Sequence, residues 1–326
     1  MKRFFGLLLG LLLLSEQEIR AGCSKLEPES FKWVAMPRSW MVDKAVDHDE
    51  ISKHRTGIVE LEVDGLKQYL RIDVPSQPVG ASNADGGGIS SIIVFVHGWV
   101  PQQSRSLYQM GLEPDSYYGP TIQRLAQSGS IVISPFLRGH GFSASHQSAQ
   151  VLGNDPAALQ RGYVRDITAI WTYRTSLLNW VSGQRIVALS PSNRFAMFGH
   201  SMGANTVMQT ILSSCVQSDT DRVAVVLWSG GYVELDAMDL RLNQPFVVWF
   251  AYGDKDRYVD VHKLGRQSRV LRAAGIEAYD EPLAQRDHEL SLTASKQLAA
   301  DEKDEYQRLF LNRTIKFLQD GIYQSN

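Results

Sequence analysis

Two patterns of hydrophobic and polar positions divide the chain. Over residues 58–63 and 66–74 apolar and polar side chains alternate, and Asp64-Gly65 separates the two stretches. A period of two gives a strand with one buried and one wet face, and Asp-Gly is a strong signal for a two-residue hairpin turn. These stretches therefore predict an antiparallel hairpin, ended at Pro75, which has no N–H to extend a ladder. From Ile89 the alternation stops. Unbroken apolar runs lie at 92–96, 131–133, 195–198, 223–228 and 246–251, the pattern of strands buried on both faces of a parallel sheet. Helical stretches are expected between them at 119–127, 157–181, 203–213 and 261–274, with a shorter last strand at 276–280. At 306–318 a helical period puts Tyr306, Leu309, Phe310, Arg313 and Phe317 on one face, which predicts a packed amphipathic helix. Strand alternating with helix implies an α/β fold, a mainly parallel sheet with helices on both faces. Ligands in such sheets bind outside the carboxyl ends of the strands.

The rest of the chain sets boundaries around that core. Lys2 and Arg3 precede an apolar run from Phe4 to Leu14, and Ala21-Gly22-Cys23 follow after a polar stretch. That is the order of an export signal, and the run is well short of the ~20 apolar residues that span a bilayer. Ala-Gly-Cys after an apolar run also resembles the bacterial lipoprotein signal, although Arg20 stands where that signal prefers Leu. Two fates follow for Cys23, lipidation or removal. The protein is expected to be exported, whether secreted, periplasmic or lipid-anchored at the cell envelope. The organisation expected is 1–22 leader, 23–56 irregular segment, and 57–326 one α/β domain without a large cap, with a flexible loop at 80–88.

Composition narrows the partners. A net charge of −2 over 326 residues, with no long Lys/Arg run, argues against nucleic acid. The only other cysteine is Cys215, beyond Ile211-Leu212, which reads as a buried thiol if Cys23 is modified or lost. Neither paired cysteines nor His-X-X-X-His occurs, so no metal or other cofactor is implied.

The chemistry concentrates at the ends of the apolar runs. After 195–198 comes Gly199-His200-Ser201-Met202-Gly203, with Ser201 at a strand-to-helix turn. A serine hydroxyl is a weak nucleophile unless held exposed beside a base, and the following helix begins with unpaired N–H groups, so that of Met202 can face a developing oxyanion. The bland alternative is a turn serine that caps the helix. After 92–96 comes His97-Gly98-Trp99; the glycine permits a tight turn that aims a second backbone N–H, from Trp99 or Val100, into the site. His97 itself is expected either to work in the pocket or to hold the loop by a hydrogen bond. After 246–251 lie Asp254 and Asp256, both candidates for the carboxylate that orients an imidazole; Asp256, deeper in the turn, is favoured, while Asp260 fits a helix cap. His288, in a loop after the last strand, is the expected base. Its rival His262 is too close to Asp256 in sequence, and His140, within Arg138-Gly139-His140-Gly141-Phe142-Ser143, reads as loop support.

Taken in order, His97-Gly98, Arg138–Ser143, Gly199–Gly203, Gly253–Asp256 and His288 resemble the α/β-hydrolase superfamily over roughly residues 57–318. The resemblance implies that fold, with Ser201 as nucleophile, Asp256 as acid, His288 as base, and the Met202 and Trp99 N–H groups as the oxyanion hole. Serine at the elbow sets the chain apart from superfamily members with aspartate there (dehalogenases, epoxide hydrolases) or cysteine (dienelactone hydrolases). It implies acyl transfer to water, with a small-molecule ester as substrate. Trp99, Tyr232 and Tyr258, with His97, are candidates for the pocket wall, and the loop at 143–159 is a candidate to shade it. Two other readings stand beside this one. Arg138–Ser143 followed by Tyr163-Val164-Arg165-Asp166-Ile167 is similar to the catalytic domain of prolyl-oligopeptidase relatives, although the residues before Ile92 are too few for a propeller. The other is a binding protein that keeps the fold without catalysis.

Overall fold

The computed structural model describes residues 54–63, 66–75, 89–99, 118–140, 156–174, 177, 189–213, 222–234, 246–288 and 300–321. The expectations for 1–53, for the loops at 80–88 and 143–155, and for Cys23 and Cys215 lie outside the described residues.

The alternating stretches form the hairpin. Strands β1 (His54–Val63) and β2 (Leu66–Pro75) pair antiparallel from Val63↔Leu66 to His54↔Pro75. Strand β1 starts inside the segment expected to be irregular, because β2 offers it a pairing partner out to Pro75. The non-alternating runs become β3 (Ile89–Val96), β4 (Ser130–Phe136), β5 (Leu189–His200), β6 (Val223–Trp228) and β7 (Phe246–Gly253). All of β4, β6 and β7 is buried, as expected for strands covered on both faces. The last strand, β8 (Glu277–Leu283), runs three residues beyond its expected end, since it pairs with β7 as far as Gly253↔Leu283. It is an edge strand, and Asp280-Glu281-Pro282 break the apolar signal that marks the central ones.

The sheet order is β1-β2-β4-β3-β5-β6-β7-β8. The hairpin joins through an antiparallel β2–β4 pair, and the six strands from β4 to β8 are parallel. The fold is thus the α/β-hydrolase architecture that the motifs implied. Helices α1 (Gly119–Gln127), α2 (Pro156–Thr172), α3 (Met202–Leu212), α4 (Val261–Ala273) and α5 (Ala300–Asp320) cover it. One core cluster joins β-strand residues such as Val94, Met197 and Phe250 to α2, α3 and α4 through Ile167, Val207 and Leu264. The other joins Phe95, Phe198, Trp228 and Trp249 to α1 and α5 through Ile122, Phe310 and Phe317. On α5, Phe310 lies 4.8 Å from Trp228 and 5.6 Å from Trp249, and Phe317 lies 5.5 Å from Trp249. Burying each such ring contributes about 1.5–3 kcal/mol. Arg313 shares that face by a different device: its guanidinium makes two hydrogen bonds to Glu281, at 2.8 and 3.0 Å, and sits 5.4 Å from the Trp249 ring.

This topology places a crevice. From β3 the chain passes to β4 on one side, and β5 pairs on the other side. Neighbouring connections leave in opposite directions there, so the carboxyl ends of β3 and β5 stand side by side at a switch point. Gly98 follows one end and Ser201 the other.

Candidate active site

The end of β5 turns directly into α3 at Ser201, whose φ of 54° and ψ of −119° are strained for a residue with a Cβ. The turn is held by its own backbone: Ser201 N–H donates to the Trp228 carbonyl at 2.8 Å, and Asn205 N–H to the Ser201 carbonyl at 3.1 Å. Two glycines make it sterically possible. A Cβ on Gly203 would lie 2.1 Å from the Val96 carbonyl oxygen, and one on Gly199 2.6 Å from Ala204 Cα. The Ser201 hydroxyl makes no capping bond to α3; it points to an imidazole instead.

That imidazole is His288, with Nε2 2.8 Å from Ser201 Oγ and Nδ1 2.8 Å from Asp256 Oδ2. A carboxylate only accepts hydrogen bonds, so Nδ1 carries the proton and Nε2 offers a lone pair to the hydroxyl. The other carboxylate oxygen is engaged separately: Asp256 Oδ1 accepts from Tyr258 N–H at 2.8 Å and Val259 N–H at 3.0 Å. The Asp256 side chain has no solvent exposure, and that of His288 has 11%. The turn that carries Asp256 and the loop that carries His288 are stitched together, since Asp254 N–H donates to the Leu283 carbonyl and Lys255 N–H to that of Arg286. Asp254 is exposed, whereas Asp256 meets the imidazole. Asp260 accepts from His262 and Lys263 N–H groups and caps α4.

On the other side of Ser201, His97 is only 1% exposed. This corrects its placement in the pocket wall: a ring buried that deeply cannot meet a substrate. Its Nδ1 faces the Gly98 carbonyl at 2.6 Å, and its Nε2 accepts from Leu137 N–H at 3.3 Å. Burial pushes its pKa down to about 4, so it stays neutral and holds the loop. His140, buried against Tyr163 Oη at 3.2 Å, and Arg138, paired with Asp166 at 2.8 Å, support the neighbouring turn. Of the aromatic candidates, Tyr258 is 60% exposed and stands edge-on to His288 at 5.0 Å, and Trp99 is 38% exposed. Tyr232 packs against the core with the Lys263 ammonium 5.0 Å above its ring. Met202 N–H is the first of α3 and has no intrahelical acceptor.

Two residues were not singled out from the sequence. Tyr118 Oη accepts from Gly98 N–H at 2.8 Å and lies 2.9 Å from His200 Nδ1. His200 Nε2 lies 3.1 Å from the His288 carbonyl. The only hint in the sequence is the histidine inside the Gly199–Gly203 motif; nothing local marks Tyr118. Among the described residues, no group of three or more His, Cys, Asp or Glu could hold a metal ion, and no helix is long and apolar enough to cross a membrane.

Residues 93–312, about two thirds of the chain, match the profile of the alpha/beta hydrolase family. Among solved structures, the chain is similar to the dienelactone hydrolase-like promiscuous phosphotriesterase P91 from metagenomic libraries, with 16% identity, 82% of this chain and 99% of that one covered, and a TM-score of 0.51. It is similar to the esterase Est22, with 13% identity, 84% and 85% coverage, and a TM-score of 0.51. It is also similar to the acylaminoacyl peptidase of Pyrococcus horikoshii, with 14% identity and a TM-score of 0.51; there it covers 86% of its own length and 44% of the peptidase. Identities this low speak for the fold alone. No curated protein matches significantly by sequence.

Proposed function

The chain belongs to the alpha/beta hydrolase family, and from that premise we propose that it is a serine hydrolase cleaving a carboxylic ester through an acyl-enzyme. The observation that carries this reading is the line of two 2.8 Å hydrogen bonds from Ser201 through His288 to Asp256. In the proposed reaction His288 Nε2 takes the hydroxyl proton as Ser201 Oγ attacks the acyl carbon. The imidazolium then returns that proton to the departing alkoxide. Asp256 keeps Nδ1 protonated and stabilises the imidazolium without taking a proton itself. Water, activated by the same imidazole, releases the acid and restores Ser201.

Negative charge on the carbonyl oxygen needs donors that are already in position. Met202 N–H, at the amino end of α3, supplies one in this reading, aided by the helix dipole. Gly98 N–H is engaged by Tyr118; Trp99 N–H is the proposed second. The Gly98 carbonyl belongs to the same planar peptide and is held by His97 Nδ1, so the Trp99 N–H is aimed the opposite way. One such donor is typically worth about 10²–10³ in rate. Tyr258 and Trp99, both exposed beside the site, are proposed to meet the apolar part of the substrate.

A serine peptidase is the second reading. It rests on the turn at 138–140, braced by the buried Arg138–Asp166 pair. Esters are favoured because an alkoxide leaves more readily than an amine and asks less of the same machinery. Hydrolysis of a p-nitrophenyl acyl ester by the full chain, abolished in Ser201→Ala, supports the esterase reading. Faster turnover of an aminoacyl p-nitroanilide than of the ester would move it to the peptidases. Export, with or without lipid on Cys23, is proposed from residues 1–23; cell fractionation of the full chain and of Cys23→Ala checks it.

A further inference from the structure

A second line of hydrogen bonds runs beneath the first, and its direction follows from which atoms can donate. The His288 carbonyl can only accept, so His200 Nε2 must carry the proton of that 3.1 Å bond. Burial pushes the His200 pKa down to about 3, so the ring is neutral and its Nδ1 accepts. Tyr118 Oη therefore donates to Nδ1 at 2.9 Å while accepting from Gly98 N–H at 2.8 Å. The line reads Gly98 N–H to Tyr118 O–H to His200 Nδ1, then His200 Nε2–H to the His288 carbonyl. Tyr118 and His200 are each 2% exposed; neither meets substrate.

We propose that Tyr118 and His200 form a positioning relay that holds the loop after β3 and the loop carrying His288 in register about Ser201. The relay rests on the serine-hydrolase reading and deepens it. It ties four separate segments: the end of β3, the start of α1, the end of β5 and the loop after β8. His288 is gripped twice, by Asp256 at its ring and by His200 at its backbone. Gly98 shows how closely the two lines approach. A Cβ there would lie 2.6 Å from Tyr118 Oη, 3.1 Å from His200 Nδ1 and 3.2 Å from Ser201 Cβ. Both the base and the proposed Trp99 donor are therefore set by one pair of buried side chains. The chemistry of position 200 follows: it needs an acceptor and a donor on one short side chain, which an imidazole supplies and an aliphatic group does not.

The test uses full-length protein and a p-nitrophenyl ester. Tyr118→Phe keeps the ring and its edge contact with Phe95 and removes only the hydroxyl. Displacing the base or the donor by a fraction of an ångström should cut kcat about 10- to 100-fold, with KM within about threefold because substrate binding is untouched. His200→Leu should behave like Tyr118→Phe, and the double variant no worse than either single one, since both break the same line. His200→Gln, whose amide both accepts and donates, should restore most of kcat. Wild-type kcat in folded Tyr118→Phe, or equal activity of His200→Leu and His200→Gln, would overturn the relay. If Tyr118→Phe does not fold, the pair at position 200 decides. Failure of the hydrolase reading looks different: the wild-type protein and Ser201→Ala would then be equally inactive on the ester.

Discussion

The rings of His288 and His200 lie 5.2 Å apart, and each faces a backbone or carboxylate oxygen, yet the proposed reading gives them opposite tasks. His288 sits between the Asp256 carboxylate and the Ser201 hydroxyl, partners that suit the proposed base. His200 sits between a tyrosine hydroxyl and a backbone carbonyl and is 2% exposed. His97 repeats the second pattern, between a carbonyl and a backbone N–H. In the proposed reading, the imidazole hydrogen-bonded to a buried carboxylate serves as the base, and the two held by neutral partners serve as struts. Proximity alone does not decide.

The sharpest way to break the comparison is to exchange the two fates. His288→Ala should lower kcat/KM for the ester by about 10⁴- to 10⁶-fold, far beyond the loss from either relay variant; steady-state kinetics on the purified variants measures it. Next comes the backing carboxylate. Asp256→Asn presents an amide to Nδ1 and favours the wrong tautomer, so a loss of about 10⁴-fold is expected, while Asp254→Asn should stay within about twofold. Equal losses at 254 and 256 would mean that the carboxylate in contact with His288 is not what distinguishes it.

The buried imidazoles predict a pH effect on stability. His97 and His200 are neutral when folded, with pKa values of about 4 and about 3, against 6.5 when unfolded. The unfolded chain therefore binds more protons below pH 6.5. Their contribution is complete above that pH and is lost as the pH falls toward 4 and then 3, by up to about 1.4 kcal/mol per pH unit for each ring. Thermal melts between pH 7.5 and 4.5 should show the fall, and His200→Gln should make it shallower. The smallest effect belongs to a residue outside both lines. Asp260→Ala removes the cap of α4 and should cost about 1 kcal/mol with kcat unchanged, read from denaturant unfolding alongside activity.

What was legible in the sequence divides along the same line. The central strands announced themselves because burial on both faces leaves an unbroken apolar run, as at 223–228 and 246–251. The edges were less clear: β8 ends in Asp280-Glu281-Pro282, and β1 begins at His54 with no apolar signal, since pairing rather than burial sets those ends. Ser201, Asp256 and His288 were visible as candidates because each stands at the carboxyl end of a strand or in the loop beyond it, where a polar group directly follows an apolar run or a tight turn. Tyr118 was not, because its partners Gly98 and His200 are 20 and 82 residues away in sequence and only the packing of β3 against β5 and α1 brings them together. His97 was visible as a residue but not as a role, since burial, which a motif does not carry, decides between pocket and strut.

The most direct test of the account is the site of covalent capture. After treatment of the full-length protein with a fluorophosphonate, the tryptic peptide spanning 195–222 should carry one adduct, localised by fragmentation to Ser201 rather than to Ser213, Ser214 or Ser218. Its rate of formation should collapse in His288→Ala. An adduct on any other residue, or undiminished labelling of Ser201 without the His288 imidazole, would contradict it.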